Sequence, residues 1–151
     1  MLTHKQFVAE ALNNPYPINW IIRGKRAWIA DIKLDGKSNH GMKIGIDQSS
    51  GPGLWNIIFT IDGKTEKTGR GDQFRVFATV KRAIEEWWEY ASQNLDNVKS
   101  ITFSADKSGD ESRTRLYKRF AAQFAKDTGF ALVVNQGNNH DTFVLRNDSK
   151  K

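Results

Sequence analysis

Two changes of hydrophobic period predict an α/β (α+β) fold with a mixed central sheet. Apolar residues alternate with polar ones through the first half of the chain and then switch to helical spacing after Asp72. Strand-like and helix-like segments follow one another again before the C-terminus. Strands separated by helices need crossover connections, so the sheet must mix parallel with antiparallel pairs. The length of 151 residues suits one domain, and nine Phe, five Trp and three Tyr supply bulky core material.

Residues 1–12 place Phe7, Val8, Ala11 and Leu12 at helical spacing, with Thr3 as a candidate N-cap. The pattern stops before Asn13-Asn14-Pro15-Tyr16-Pro17. This segment is expected to be an N-terminal helix or leader, followed by a single domain over 13–146 and a polar tail over 147–151. Trp28, Ala30, Ile32 and Leu34 alternate with Ile29, Asp31 and Lys33, and Met42, Ile44 and Ile46 alternate with Lys43, Gly45 and Asp47. Both patterns read as half-buried strands. After a Ser49-Ser50-Gly51-Pro52-Gly53 loop, Trp55, Ile57, Phe59 and Ile61 share one face of a strand. Asp62-Gly63 signals a tight hairpin into a further strand at 64–68.

Past Gly69-Arg70-Gly71-Asp72, the residues Phe74, Phe77, Val80, Ile84, Trp87, Trp88 and Ala91 form one apolar stripe of a long helix. A strand is expected at 98–103, a loop at 107–110, and a helix at 111–127 with Leu116, Phe120 and Phe124 in line. Gly129 is placed to end that helix. A closing hairpin, 130–134 and 142–145, turns at Gly137-Asn138. The expected order is helix, four antiparallel strands, long helix, strand, helix and two strands, with helices on the faces of the sheet.

Composition removes several chemistries. The chain has no cysteine, which excludes disulfides, thiolate catalysis and Cys-based metal sites. No apolar run approaches the roughly 20 residues that span a bilayer, and residues 1–12 lack the apolar middle of a secretion signal. The reading is a protein that is not secreted, without a membrane partner. His4, His40 and His140 lie far apart without ligand spacing, so no metal is expected. Lys and Arg number 23 against 17 Asp and Glu, a net charge of +6 that suits a polyanionic partner without naming one.

The segment Thr68 to Arg75 carries the first candidate site. Gly69 and Gly71 free the backbone just before a helix, where exposed N–H groups and the charges of Lys67, Arg70 and Arg75 would hold a phosphate. Alternatively the glycines only shape a turn and Asp72 caps the helix. Arg70-Gly71-x-x-Phe74 at the head of the long helix, the strand at 100–103, Leu116-Tyr117 and Gly129-Phe130 together resemble the GNAT acetyltransferase superfamily. That resemblance covers residues 28–145 and implies a GNAT-like mixed sheet that uses acetyl-CoA. It implies pyrophosphate held at Gly69, Arg70, Gly71, Gln73 and Phe74, pantetheine between two splayed parallel strands, and Tyr117 as the general acid. Without the resemblance, Tyr117 reads as a partly buried helix residue packing against Ala121.

The first eleven residues, Met1-Leu2-Thr3-His4-Lys5-Gln6-Phe7-Val8-Ala9-Glu10-Ala11, resemble the head-targeting leader of internal proteins in T-even-type tailed phages. The resemblance implies packaging into the phage head and cleavage between Glu10 and Ala11. More loosely, Gly71 to Val80 and Phe103-Ser104-Ala105 resemble an uncharacterised tailed-phage domain. The expected setting is the host cytoplasm or the virion head interior, with head components or DNA as partners. Basic residues beside aromatics, Arg23, Lys25 and Arg26 near Trp20 and Trp28, and Arg113, Arg115, Lys118 and Arg119 around Tyr117, would suit nucleic acid if exposed. Trp28, Trp55 and Trp87 sit on apolar phases and are expected in the core. Three functions follow as expectations: a phage accessory protein with a GNAT-like fold, an acetyl-CoA-dependent N-acetyltransferase, and a nucleic-acid-binding module.

Overall fold

The structure, a computed structural model, describes residues 14–34, 41–61, 72–95, 97–106, 111–138 and 140–147. Its elements are β1 (Asn19–Arg23), β2 (Ala27–Lys33), β3 (Gly41–Asp47), β4 (Leu54–Ile61), α1 (Asp72–Asn94), β5 (Ser100–Asp106), α2 (Glu111–Thr128), β6 (Ala131–Gln136) and β7 (His140–Arg146). The seven strands form one sheet in the order β1-β2-β3-β4-β5-β7-β6. All neighbours are antiparallel except β4 and β5, which run parallel.

Four antiparallel strands do precede the long helix, but the set differs from the expected one. β1 is additional to it, and 64–68 lies outside the described residues, as does the expected helix at 1–12. The pairing of β1 with β2 shifts between Trp20 and Ile22, so Ile21 sits in a bulge. A bulge interrupts the two-residue period, which is why the alternation rule passes over this edge strand. Trp20 nevertheless faces the core side, where its Nε1 donates to Glu86 Oε1 of α1 at 3.0 Å.

Each central strand buries one side. Trp28, Ala30 and Ile32 of β2, Met42, Ile44 and Ile46 of β3, and Trp55 and Ile57 of β4 are buried, while their alternate neighbours are not. Against them α1 lays Phe77, Val80, Ile84, Trp87 and Ala91, the stripe expected from its period, and the rings of Trp55 and Trp87 meet at 4.9 Å. Helix α2 adds Tyr117, Phe120, Ala121 and Phe124, and ends at Gly129 with φ of 83°.

Both helices pack on this same face of the sheet. The strand order supplies the reason. The crossovers β4–α1–β5 and β5–α2–β6 each join parallel strands and both step toward the same edge of the sheet, so right-handedness puts both helices on one side.

The parallel pair is anchored at its start by Gly53. Its carbonyl accepts from Lys99 N at 2.9 Å and Ser100 N at 3.2 Å, and its N–H donates to Gln48 Oε1 at 2.6 Å. Its φ is 78°, and a Cβ placed on it would stand 2.6 Å from the Asn97 carbonyl oxygen. Only glycine fits there without strain. Gly53→Ala is therefore expected to destabilise the fold by about 2–3 kcal/mol, read by denaturant unfolding; an unchanged midpoint would remove this anchor from the account.

Candidate functional site

From Gly53 onward the two parallel strands pair only briefly. Leu54, Trp55 and Asn56 register with Ser100, Ile101 and Thr102, and no further pairs form between β4 and β5 among the described residues. β4 runs on to Ile61 while held by β3, and β5 runs on to Asp106 while held by β7. A wedge opens between 57–61 and 103–106, and the backbone groups along its two inner edges have no ladder partner across it. Helix α1 follows the outer end of β4 and α2 follows that of β5, so both helix N-termini lie toward the open end. Crevices at the carboxyl ends of parallel strands are where open α/β sheets bind ligands.

Aromatic rings close the helix side of this wedge. Tyr117 of α2 is buried, with 1% of its surface exposed, and its ring lies near-parallel to Phe59 of β4 at 5.8 Å. Phe103 of β5 stands 6.1 Å away and Phe77 of α1 meets Tyr117 edge-on at 5.0 Å. The expected general acid thus sits where both parting strands and both helices converge. Its burial also fits packing alone, as Ala121 beside it is buried too. On the opposite side the rim is polar and open: Ser104 is exposed, and its hydroxyl lies 3.2 Å from that of Thr142.

The expected phosphate loop is covered only in part. Gly69, Arg70 and Gly71 lie outside the described residues; Gln73 and Phe74 fall in the first turn of α1. Their N–H groups belong to the turn that has no carbonyl four residues earlier in the helix, the feature an anion site needs. Arg75, expected to add charge nearby, is engaged: its guanidinium stacks 3.7 Å from the centre of the Tyr16 ring and its Nε donates to the Asn14 carbonyl at 2.9 Å. Tyr16 N donates to Thr79 Oγ1 at 2.9 Å, and that hydroxyl donates to the Arg75 carbonyl at 2.6 Å. The Pro15-Tyr16-Pro17 stretch reads in the sequence as a break, and its seat on α1 depends on a partner 63 residues away. The cleavage pair Glu10 and Ala11 lies outside the described residues.

The two basic clusters do not merge. Arg23, Lys25 and Arg26 are exposed at the β1–β2 hairpin, whereas Arg115, Lys118 and Arg119 are exposed on α2, which packs on β5, β6 and β7 at the other end of the sheet. Trp28, Trp55 and Trp87 are buried as expected, and Trp20 is half-buried with its N–H engaged. Among the described residues no three His, Asp or Glu converge to hold a metal ion, and no helix is long and apolar enough to cross a membrane.

Neither family models nor curated proteins match the sequence. Among solved structures, the chain is similar to the N-acetyltransferase PseH of Campylobacter jejuni, at 10% identity and a TM-score of 0.39, over 83% of this chain and 71% of that one. It is similar also to an acetyltransferase of the GNAT family from Streptococcus pneumoniae, at 14% identity and a TM-score of 0.39, over 81% and 67%. The fold is described by its own elements, a mixed seven-stranded α+β sheet with one parting parallel pair and two helices on one face.

Because Tyr117 fills the junction of four elements, its truncation has a structural cost apart from any chemistry. Tyr117→Ala is expected to destabilise by about 3–5 kcal/mol, while Tyr117→Phe keeps the packing and stays within about 1–2 kcal/mol of the parent. Denaturant midpoints check the pair; equal midpoints for the two variants would contradict the placement.

Proposed function

We propose that the wedge between β4 and β5 receives the pantetheine arm of acetyl-CoA and that the protein is an acyl-CoA-dependent N-acetyltransferase of GNAT-like build. One observation carries this reading: pairing between the parallel strands ends after Asn56 and Thr102, leaving two extended backbone edges facing each other. An arm bearing two amides matches such an edge, donor to acceptor, as an added strand would. The residues present fit the group, with the Gln73 and Phe74 N–H groups at the head of α1 for the pyrophosphate and Arg70 beside them in sequence. Acetyl-CoA would supply the activated acyl thioester. Tyr117 would hold its phenolic proton at the floor of the wedge and give it to the departing thiolate, while the rings of Phe59, Phe77 and Phe103 exclude water around it.

Calorimetric titration with acetyl-CoA tests the site without a choice of acceptor. Saturable binding that weakens roughly tenfold or more in Arg70→Ala is expected; absence of binding at about millimolar cofactor, a level above ordinary substrate affinities, would end the reading. Once an acceptor is found, Tyr117→Phe is expected to lower kcat by about a hundredfold with cofactor affinity unchanged. Turnover equal to the parent's would take Tyr117 out of the mechanism.

We also propose that the protein is a tailed-phage accessory protein made in the host cytoplasm and packaged in the head, with residues 1–10 as its leader. The support is the leader-like sequence together with the position of the first anchor. Tyr16 is fixed to Thr79 and Arg75, so cleavage between Glu10 and Ala11 would leave every described contact of the domain in place. Mass spectrometry of protein recovered from virions is expected to show Ala11 as the first residue, and an intact Met1 there would rule the processing out.

A further inference from the structure

The sheet face turned away from the helices carries an apolar row that nothing in the sheet requires. Ile22, Ile29, Gly45 and Ile58 are successive cross-strand partners over β1, β2, β3 and β4, all on this face. Ile22 is 46% exposed and Ile58 52%, and a Cβ added to Gly45 would meet nothing within 4 Å. The two ends of the row are exposed and its middle, Ile29 and Gly45, is half-buried, with a shallow dip at the glycine. Exposed apolar rows rimmed by polar residues mark interaction surfaces. Here one rim is Asn19, Asp31, Lys43 and Thr60, and the other is Ala27, Asp47 and Asn56.

The rims identify the occupant. Lys43 and Asp47 lie on β3 two residues either side of Gly45, on the same face as the row. A second sheet laid on this face about a two-fold axis along β3 would set Lys43 on Lys43 and Asp47 on Asp47, which like charges forbid. A two-fold axis along the isoleucine row instead exchanges the rims. Lys43 then meets Asp47 of the other copy, and Asp47 meets its Lys43. Asp31 comes over Ala27, Thr60 over Asn56, and within these two rims no like charges face each other. Asp47 Oδ1 accepts from Ser49 N–H at 3.1 Å, which leaves the other carboxylate oxygen for the lysine.

We propose that this face is where two copies of the chain pair, sheet on sheet, about a two-fold axis running along Ile22, Ile29, Gly45 and Ile58. On this axis each residue of the row faces its own copy, so isoleucine packs on isoleucine across the interface, as self-complementary patches do in isologous pairs. Four strands about 4.8 Å apart give a contact about 15 Å wide. That size belongs with small interfaces, so the dimer is weak and reversible, with Kd on the order of 100 µM. The pairing is independent of acetyl-CoA binding.

Sedimentation equilibrium on the full chain over about 10 µM to 1 mM, bracketing that Kd, tests the pairing. The parent is expected to shift from monomer to dimer, and Ile58→Asp, whose side chain is exposed in the monomer, to stay monomeric with an unchanged unfolding midpoint. Lys43→Glu and Asp47→Lys should each weaken association by about tenfold or more. Mixed in equal amounts, those two variants should restore it. The introduced glutamate of one chain then faces the introduced lysine of the other, and the native Asp47 of the first chain faces the native Lys43 of the second. A monomeric parent would overturn the proposal and assign the face to another partner. Association unaffected by Ile58→Asp would overturn the surface, and single variants that fail to recover on mixing would overturn the axis.

Discussion

A parallel pair that begins tightly and then separates is the constraint on which the rest of this structure depends. Gly53 accepts from Lys99 N and Ser100 N, three residue pairs follow, and the strands then go to different neighbours. Among the described residues this is the one pair of neighbouring strands in the sheet's interior that stops pairing partway along, so two facing backbone edges are left there with hydrogen-bonding groups to satisfy. The two crossover helices must start near the open end because each follows one of the parting strands. A crevice with helix N-termini beside it is a consequence of topology before any side chain is considered.

The side chains then decide what kind of crevice it is. Phe59 and Phe103 come from the two separating strands and Phe77 and Tyr117 from the two helices, so the floor is apolar with one phenol in it. Such a floor suits an extended, mostly neutral arm better than a densely charged substrate, and it holds one titratable group, the Tyr117 phenol, among these four rings. The charged part of a cofactor would belong outside, toward the first turn of α1. Arg75 does not serve there, since stacking on Tyr16 and a bond to the Asn14 carbonyl already fix it. The Tyr16 segment is thus a strap across the start of α1, tying the chain before β1 to the helix that borders the crevice.

Much of this was legible in the sequence wherever one face of an element is buried. The alternations at Trp28 to Leu34, at Met42 to Ile46 and at Trp55 to Phe59, and the stripe of α1, follow directly from burial on one side. β1 was illegible because its bulge at Ile21 breaks the period. The shared face of both helices was illegible for a different reason: it depends on β5 and then β6 being added toward the same edge of the sheet, and strand order is a property of the whole sheet. Tyr117 could be singled out only through a family resemblance, since its own surroundings in sequence describe an ordinary helix position. The wedge itself has no local signature, because the number of pairs before two strands separate is set by twist and by which neighbours compete for them.

Amide hydrogen exchange, read residue by residue with and without acetyl-CoA, tests the central claim most directly. In the free protein the paired stretch at 54–56 and 100–102 should be well protected, while the amides of 57–61 and 103–106 that face the wedge exchange much faster. Adding cofactor should protect those inner-edge amides selectively. Uniform protection along both strands in the free protein would show that the pair does not separate. Unchanged exchange at saturating cofactor would contradict the assignment of the wedge as its seat.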